Sequence, residues 1–261
     1  MKKKRRELMV VTLSAIDDVP LVQPRDDLAG LLISACERSA LSPADGDVLV
    51  VAQKVVSKAE GRYVDLATIV PSARAQKLAV EVNKDARLIE VILGESRRVA
   101  RYRPGVLIVE HRLGFVLANA GVDSSNVDPQ AGIEPVLLLP HDPDGSAAIL
   151  LARFAAHFRK TLAVIIIDSW GRAWRRGTVG VALGAAGLPA LMDLRGRPDL
   201  FGHELRVTQT GFADEIAAAA SLLMGEADEG MPAVLVRGLA WTGAVVPAAA
   251  LIRAPDEDLF R

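Results

Sequence analysis

The chain has 261 residues, of which 51% are hydrophobic and 24% charged, with a formal net charge of -1. That length buries a substantial core, the apolar content excludes an intrinsically disordered chain, and the near-neutral balance argues against a nucleic-acid footprint. Aromatic residues contribute only 4%, so the core has to be built mainly from Val, Leu, Ile and Ala.

Residues 1–6 are basic after Met1 and residues 8–16 are largely apolar, the order found in secretory leaders. The apolar run is short, Thr12 and Ser14 interrupt it, and Asp17 and Asp18 follow without a small-residue cleavage site. A first β-strand behind a solvated basic tail is therefore expected. Residues 27–40 read as a helix with Leu28, Leu31, Leu32 and Ala35 on one stripe. The single cysteine, Cys36, falls in this stretch; it can form no internal disulfide and fits a buried small hydrophobe in a reducing, cytoplasmic setting. Val48, Leu49, Val50 and Val51 form a continuous apolar run, and Ser72 is a plausible N-cap for a helix over 72–85.

Val106, Leu107, Ile108 and Val109 repeat the strand signal, and a turn at Gly114 leads into a further strand over Phe115, Val116, Leu117 and Ala118. A helix over 146–160 carries Ile149, Leu150, Phe154 and His157. Residues 162–167 and Ala233, Val234, Leu235 and Val236 complete the set of runs that read as strands buried on both faces. Between them, 178–207 has a β and turn-like character and 214–224 is an alanine-rich helix. Alternation of this kind predicts an α/β fold. No run approaches the ~20 apolar residues of a membrane span, so a soluble protein without a membrane partner is expected. No linker, repeat or low-complexity segment marks a domain boundary.

Three clusters carry chemistry. Asp168 and Ser169 end the run 162–167, where α/β sheets open toward ligands, and Arg172, Arg175 and Arg176 follow between Gly171 and Gly177. Hard oxygens suit Mg²⁺ or Mn²⁺ and guanidinium forks suit phosphate, so the segment fits a metal–nucleotide complex. A surface loop with ion pairs between Asp168 and its arginines fits the same letters. Asn119, Ala120, Gly121, Val122, Asp123, Ser124, Ser125, Asn126, Val127 and Asp128 make a tight loop that brings Asp123 and Asn126 to a ligand, or an ordinary Asx-rich turn. Lys54 and Lys58 after the run 48–51 neutralise phosphates or form a solvated pair four residues apart. Glu226, just past the alanine-rich helix, lies at an acidic junction that solvation alone also explains.

Absences narrow the field. No G-x-x-x-x-G-K-[ST] loop occurs, Gly180, Gly184 and Gly187 lack dinucleotide spacing, and no G-x-S-x-G elbow appears. His111, His141, His157 and His203 lack zinc-ligand spacing.

In order along the chain, these clusters resemble the coenzyme F420:L-glutamate ligase family, F420 being a deazaflavin coenzyme. The matching blocks are Val19, Pro20, Leu21 and Val22 before Asp26, Asp27 and Leu28; Gly46, Asp47 and Val48, leading to Ser57, Lys58, Ala59, Glu60, Gly61 and Arg62; and residues 118–123 with Asn126. They continue with Asp168, Gly171 and Arg172, then Asp193, Leu194, Arg195, Gly196, Asp199 and Gly202, and end with Met224, Gly225 and Glu226 up to Pro232. Four positions depart from the family pattern: Arg25 replaces a glycine, Gln53 and Lys54 stand where small hydroxyl residues are common, and Ser169 stands for threonine with its oxygen kept.

The resemblance implies a mixed-sheet, two-lobed ligase fold forming an intertwined homodimer, one ligase unit over 1–261, and no C-terminal nitroreductase-like domain. It implies GTP as substrate nucleotide, lined by Val19, Pro20, Leu21, Val22, Gln53, Lys54, Lys58, Asn126, Met224, Gly225, Ala227, Asp228, Glu229, Gly230 and Met231. It further implies two Mg²⁺ or Mn²⁺ ions, one on Asp123 and Asp168 and one on Ser169 and Glu226, with room for a monovalent cation. Lys58 and Arg172 are the expected catalytic cations. The implied partners are the deazaflavin precursor, L-glutamate and GTP. The implied reaction activates the lactyl carboxylate as an acyl phosphate, which the glutamate amine attacks, and later additions extend a γ-linked tail. The rivals are an amide ligase for another carboxylate and a non-catalytic nucleotide-binding protein.

Overall fold

The computed structural model describes residues 9–127 and 134–259. The basic tail, Leu8 and Asp128 lie outside the described residues. In chain order the elements are β1 (Thr12–Ala15), α1 (Leu28–Arg38), β2 (Val48–Ala52), α2 (Gln53–Ala59), β3 (Tyr63–Asp65), α3 (Ala73–Val82), α4 (Ala86–Gly94), β4 (Ser96–Arg103), β5 (Val106–His111) and β6 (Val116–Ala118). They continue with β7 (Pro135–Leu137), α5 (Pro143–Phe158), β8 (Ala163–Gly171), β9 (Thr178–Ala186), β10 (Met192–Asp193), β11 (Gln209–Thr210), α6 (Phe212–Met224) and β12 (Ala233–Arg237).

A five-stranded sheet in the order β1-β12-β2-β8-β9 forms the centre, with β2 and β8 parallel and the other neighbours antiparallel. Its central strands read as unbroken apolar runs because both faces are covered. Leu49, Val51, Val164 and Ile166 point to one face and pack with Leu28, Leu32 and Cys36 of α1 and Leu150 and Phe154 of α5. Val48, Val50, Ile165 and Ile167 point to the other and pack with Phe212, Ile216, Ala217 and Ala220 of α6. Burial pushes the Cys36 thiol up to about 11, as expected of an inert core cysteine. A third apolar cluster joins α3 and α4 to Leu107 and Val109 of β5 and to Val122 and Val136. The architecture is thus mixed α/β, as the alternation predicted.

Local signals placed most helices. Asp27 accepts from the Gly30 N–H and Ser72 from the Ala75 N–H, so both expected N-termini are capped by side chains. The helix over 146–160 starts three residues earlier, with Asp142 as cap and Pro143 in the first turn. Its buried residues include Ala147, Leu150 and Phe154, whereas Ile149 is 66% exposed and His157 pairs with Glu37 at 2.9 Å. The expected 72–85 helix ends at Val82, where Asn83 turns left-handed (φ 52°). In β5 only Leu107 and Val109 of the apolar run are buried, so that strand is covered on one face rather than two. Among the described residues no helix is long and apolar enough to cross a membrane.

Candidate active site

The sheet register brings three segments to one edge. Ala52, the last residue of β2, pairs with Ile167, so Asp168 is the next residue beyond the parallel pair. Val51 pairs with Ala233, the first residue of β12, and the Ala52 N–H donates to the Pro232 carbonyl at 2.8 Å. The start of α2, the middle of β8 and the loop leading into β12 therefore meet. Asp168 does not end its strand as expected: β8 runs on to Gly171, paired with β9.

The fourth segment arrives through a left-handed turn. Asn119, Ala120 and Gly121 have φ of 53°, 55° and 68°. At Gly121 a side chain would be disfavoured by that φ and would also run into Leu139, so glycine is required there. The turn delivers Asp123 to an isolated antiparallel bridge with Leu137, its N–H donating at 3.1 Å and its carbonyl accepting at 2.8 Å. The Ser125 N–H then donates to Asp123 Oδ1 at 2.7 Å and Ser125 Oγ to Oδ2 at 2.8 Å. An Asx turn is present, and the same turn fronts the cavity, so the two readings of this loop hold together.

These segments enclose a cavity of about 1080 Å³. Val19, Pro20, Leu21, Val22, Gln53, Lys54, Lys58, Asp123, Asn126, Asp168, Ser169, Met224, Gly225, Glu226, Ala227, Asp228, Gly230 and Met231 all line it. Two expected site residues do not. Arg172 reaches back to the Gly177 carbonyl at 3.4 Å, within its own hairpin. Glu229 folds under the loop to accept from the Ala227 N–H at 2.8 Å, over Gly225, where a side chain would collide with the Glu229 carboxylate. Tyr63 and Asp65 of β3, with Pro135 of β7, form a wall that the sequence reading missed. That two-stranded pairing joins residues some seventy positions apart and leaves no local pattern to read.

Polar contacts knit the walls. Lys54 and Lys58, one turn apart on α2, both reach the Asp123 loop. Lys54 Nζ lies 2.8 Å from Asp123 Oδ2 and donates to Ser125 Oγ at 2.5 Å, and Lys58 Nζ donates to the Asn126 carbonyl at 2.7 Å. Asn126 Nδ2 donates to the Ala227 carbonyl at 3.0 Å, and Ser169 Oγ to Glu226 Oε2 at 2.7 Å. The lysines are therefore not a solvated pair, and Glu226 is tied to β8 rather than merely solvated. Among the described residues no ion pair joins Asp168 to Arg172, Arg175 or Arg176, which removes the ion-paired-loop reading.

The charges within the cavity differ in state. Burial pushes the Asp168 carboxyl up to about 6, with the negative charges of Asp123 and Glu226 adding to the rise and the Ser169 N–H and Lys54 opposing it. Burial alone would raise Asp123 too, but hydrogen bonds from Lys54 and Ser125 outweigh it and hold that carboxyl below its ordinary value. Among the described residues no group of three or more His, Cys, Asp or Glu side chains is placed to hold a metal ion. Asp123, Asp168, Ser169 and Glu226 instead line one cleft, with Ser169 and Glu226 in direct contact at 2.7 Å. That donor set fits Mg²⁺ or Mn²⁺, which are held by one or two carboxylates with water and substrate phosphates completing the shell, rather than by an all-protein cage.

The F420-0:gamma-glutamyl ligase family model matches residues 17–238, spanning every wall of this cavity. The chain belongs to that family. It is 45% identical to the coenzyme F420:L-glutamate ligase of Methanothermobacter thermautotrophicus, over 97% of this chain and all of the relative. It is 46% identical to the enzyme of that name from Methanopyrus kandleri over 94% of this chain and 97% of the relative, and 44% identical to that of Archaeoglobus fulgidus over 97% of both.

Proposed function

We propose that this protein is a GTP-dependent coenzyme F420:L-glutamate ligase, which joins the amine of L-glutamate to the lactyl carboxylate of a deazaflavin precursor and extends the tail through γ-linked additions. The observation that carries the reading is the convergence of Asp123, Asp168, Ser169 and Glu226 with Lys54 and Lys58 on one cavity, in a chain of this family. The names of the relatives support the same acceptor and amino acid.

An amine and a carboxylate at neutral pH form a salt, so one carboxylate oxygen has to become a leaving group. In the proposed sequence that oxygen attacks the γ-phosphorus of GTP and GDP departs. The glutamate amine then attacks the acyl phosphate carbon, forming the amide and releasing phosphate and a proton. The barrier is crowding of negative charge, so catalysis rests on positioning and neutralisation rather than on a covalent nucleophile. Two divalent cations, one on Asp123 and Asp168 and one on Ser169 and Glu226, would neutralise the phosphate oxygens when bound. Lys58 supports the phosphates, with Gln53, Asn126, residues 19–22, residues 224–228, Gly230 and Met231 around the nucleotide. Arg172, on the hairpin that follows Ser169, would have to turn inward to assist. A monovalent cation, the two-lobed intertwined homodimer and a cytoplasmic location belong to the same proposal.

Incubation with GTP, L-glutamate, Mn²⁺ or Mg²⁺ and the deazaflavin precursor, followed by mass spectrometry, tests it. Glutamylated product with GDP release that requires both glutamate and acceptor is expected. GDP release that ignores the acceptor, or GTP left intact, would refute the reading in favour of another acceptor or of binding without chemistry.

A further inference from the structure

Lys54 holds an unusual place among the cavity's charges. An ammonium has three donors and no acceptor. Here they face Asp123 Oδ2 at 2.8 Å, Ser125 Oγ at 2.5 Å and the Ser125 carbonyl at 3.4 Å. Three oxygens gathered around one positive centre form a cation's coordination shell in miniature. The Asp123 carboxylate is also fully engaged, since Oδ1 takes the Ser125 N–H and Oδ2 takes both Lys54 and the Ser125 hydroxyl. The side chain of Lys54 is only 26% exposed, so its charge is held among the acids rather than in solvent. Its field also reaches Asp168, which it favours in the ionised form.

From this arrangement we infer that Lys54 is an internal cation that occupies the Asp123 carboxylate while nucleotide is absent, so that a divalent ion enters only as Lys54 leaves. The inference rests on the metal–nucleotide reading given above. Two cations on one carboxylate oxygen repel each other, and Oδ2 is the oxygen that Lys54 already holds. A metal arriving alone has to displace the ammonium toward Asp168 and Glu226, the acids assigned to the metals themselves, and it brings no anion of its own to receive that charge. A metal arriving with a triphosphate brings that anion, and Lys54, lining the same cavity, transfers from carboxylate to phosphate. Metal and nucleotide therefore bind cooperatively, and Lys54 is the side chain that couples them. It is a positioning residue for the empty site and disfavours metal held without substrate.

Mn²⁺ titration of the nucleotide-free full-length protein, followed by calorimetry or by the loss of free-ion electron spin resonance signal, tests this without turnover. Lys54→Met is expected to bind Mn²⁺ about tenfold more tightly than wild type, a usual size for coupling between two ligands. Lys54→Gln keeps a donor for Asp123 and Ser125 while losing the charge, and should show the same gain. Lys77→Met removes one exposed positive charge from α3, outside the cavity, and should leave Mn²⁺ affinity unchanged. Adding Asp123→Asn to Lys54→Met should abolish the gain. Folded Lys54 variants with wild-type or weaker Mn²⁺ affinity would overturn the inference, as would a gain that survives Asp123→Asn. Failure of the ligase reading is seen separately, in the product assay on the wild-type protein, which does not enter this ratio.

Discussion

Asp168→Asn is expected to stabilise the metal-free protein while abolishing its chemistry. The Asp168 carboxyl is raised from 3.8 to about 6, by burial first and then by Asp123 and Glu226, against Lys54 and the Ser169 N–H. Between those two values the native state holds a proton that the unfolded chain has released, so stability falls as pH rises from about 4 to about 6 and stays low above that. At ~1.4 kcal/mol per pH unit the gap corresponds to roughly 3 kcal/mol of native-state destabilisation at neutral pH. An asparagine removes the charge and keeps the shape, but its amide also has to be desolvated, which leaves a net gain of about 1–2 kcal/mol. Urea unfolding of both proteins in chelator should show the variant ahead at pH 8 and the difference closing by pH 4. Glutamylation by the variant should fall to near background. A variant less stable than wild type at pH 8, or a difference that ignores pH, would refute the assignment of a strained, ionised carboxylate to this position.

Two further changes test the frame that holds the cleft. A Cβ at Gly184 would strike the Pro143 carbonyl of α5, a backbone group that cannot swing aside, so Gly184→Ala should cost about 2–3 kcal/mol in urea unfolding. Glu95 is only 11% exposed and accepts from Arg112 at 2.6 Å and Arg62 at 3.1 Å. Burial alone would raise its carboxyl, yet the His111 ring, with Nε2 3.5 Å away, the hydrogen bonds from Arg112 and the charges of Arg112 and Arg62 hold it at about 2. Its contribution is therefore complete above the unfolded value of 4.5 and is lost as pH falls through about 2. Glu95→Gln should cost about 3 kcal/mol at pH 7, with the cost shrinking in acid unfolding curves.

What was legible in the sequence follows from how each element is covered. β2, β8 and β12 announced themselves because apolar layers cover both faces, α1 because its apolar stripe packs on the sheet, and α3 because Ser72 caps it with its own side chain. β4 stayed hidden: it carries Arg97, Arg98, Arg101 and Arg103, lies at the edge of its sheet, and breaks register twice against β5, so no alternation survives. α2 stayed hidden because seven residues with no side-chain cap follow directly on a strand, and its first residue, Gln53, is buried like a strand residue. α4 was passed over because Asn83 and Asp85 were read as the tail of one helix. They are the left-handed stop of α3 and the cap of α4.

The site was legible in a different way. Asp123, Asp168 and Glu226 have no common spacing, and no local rule joins them. Sheet order joins the last two: because β2 lies between β12 and β8, the loop entering β12 and the residue after the parallel pair open at the same edge. Nothing in the sheet places Asp123. Its position depends on a left-handed turn at residues 119–121 and on side-chain ties from Lys54, Lys58 and Asn126 that cross between loops. A resemblance over the whole chain could point to that convergence because it carries the result of folding. Residue patterns alone could point only to the parts. The same distinction explains why Lys54 read from its letters only as a phosphate ligand or as one of a solvated pair. Its pairing with Asp123 exists only once two segments some seventy residues apart have been brought together.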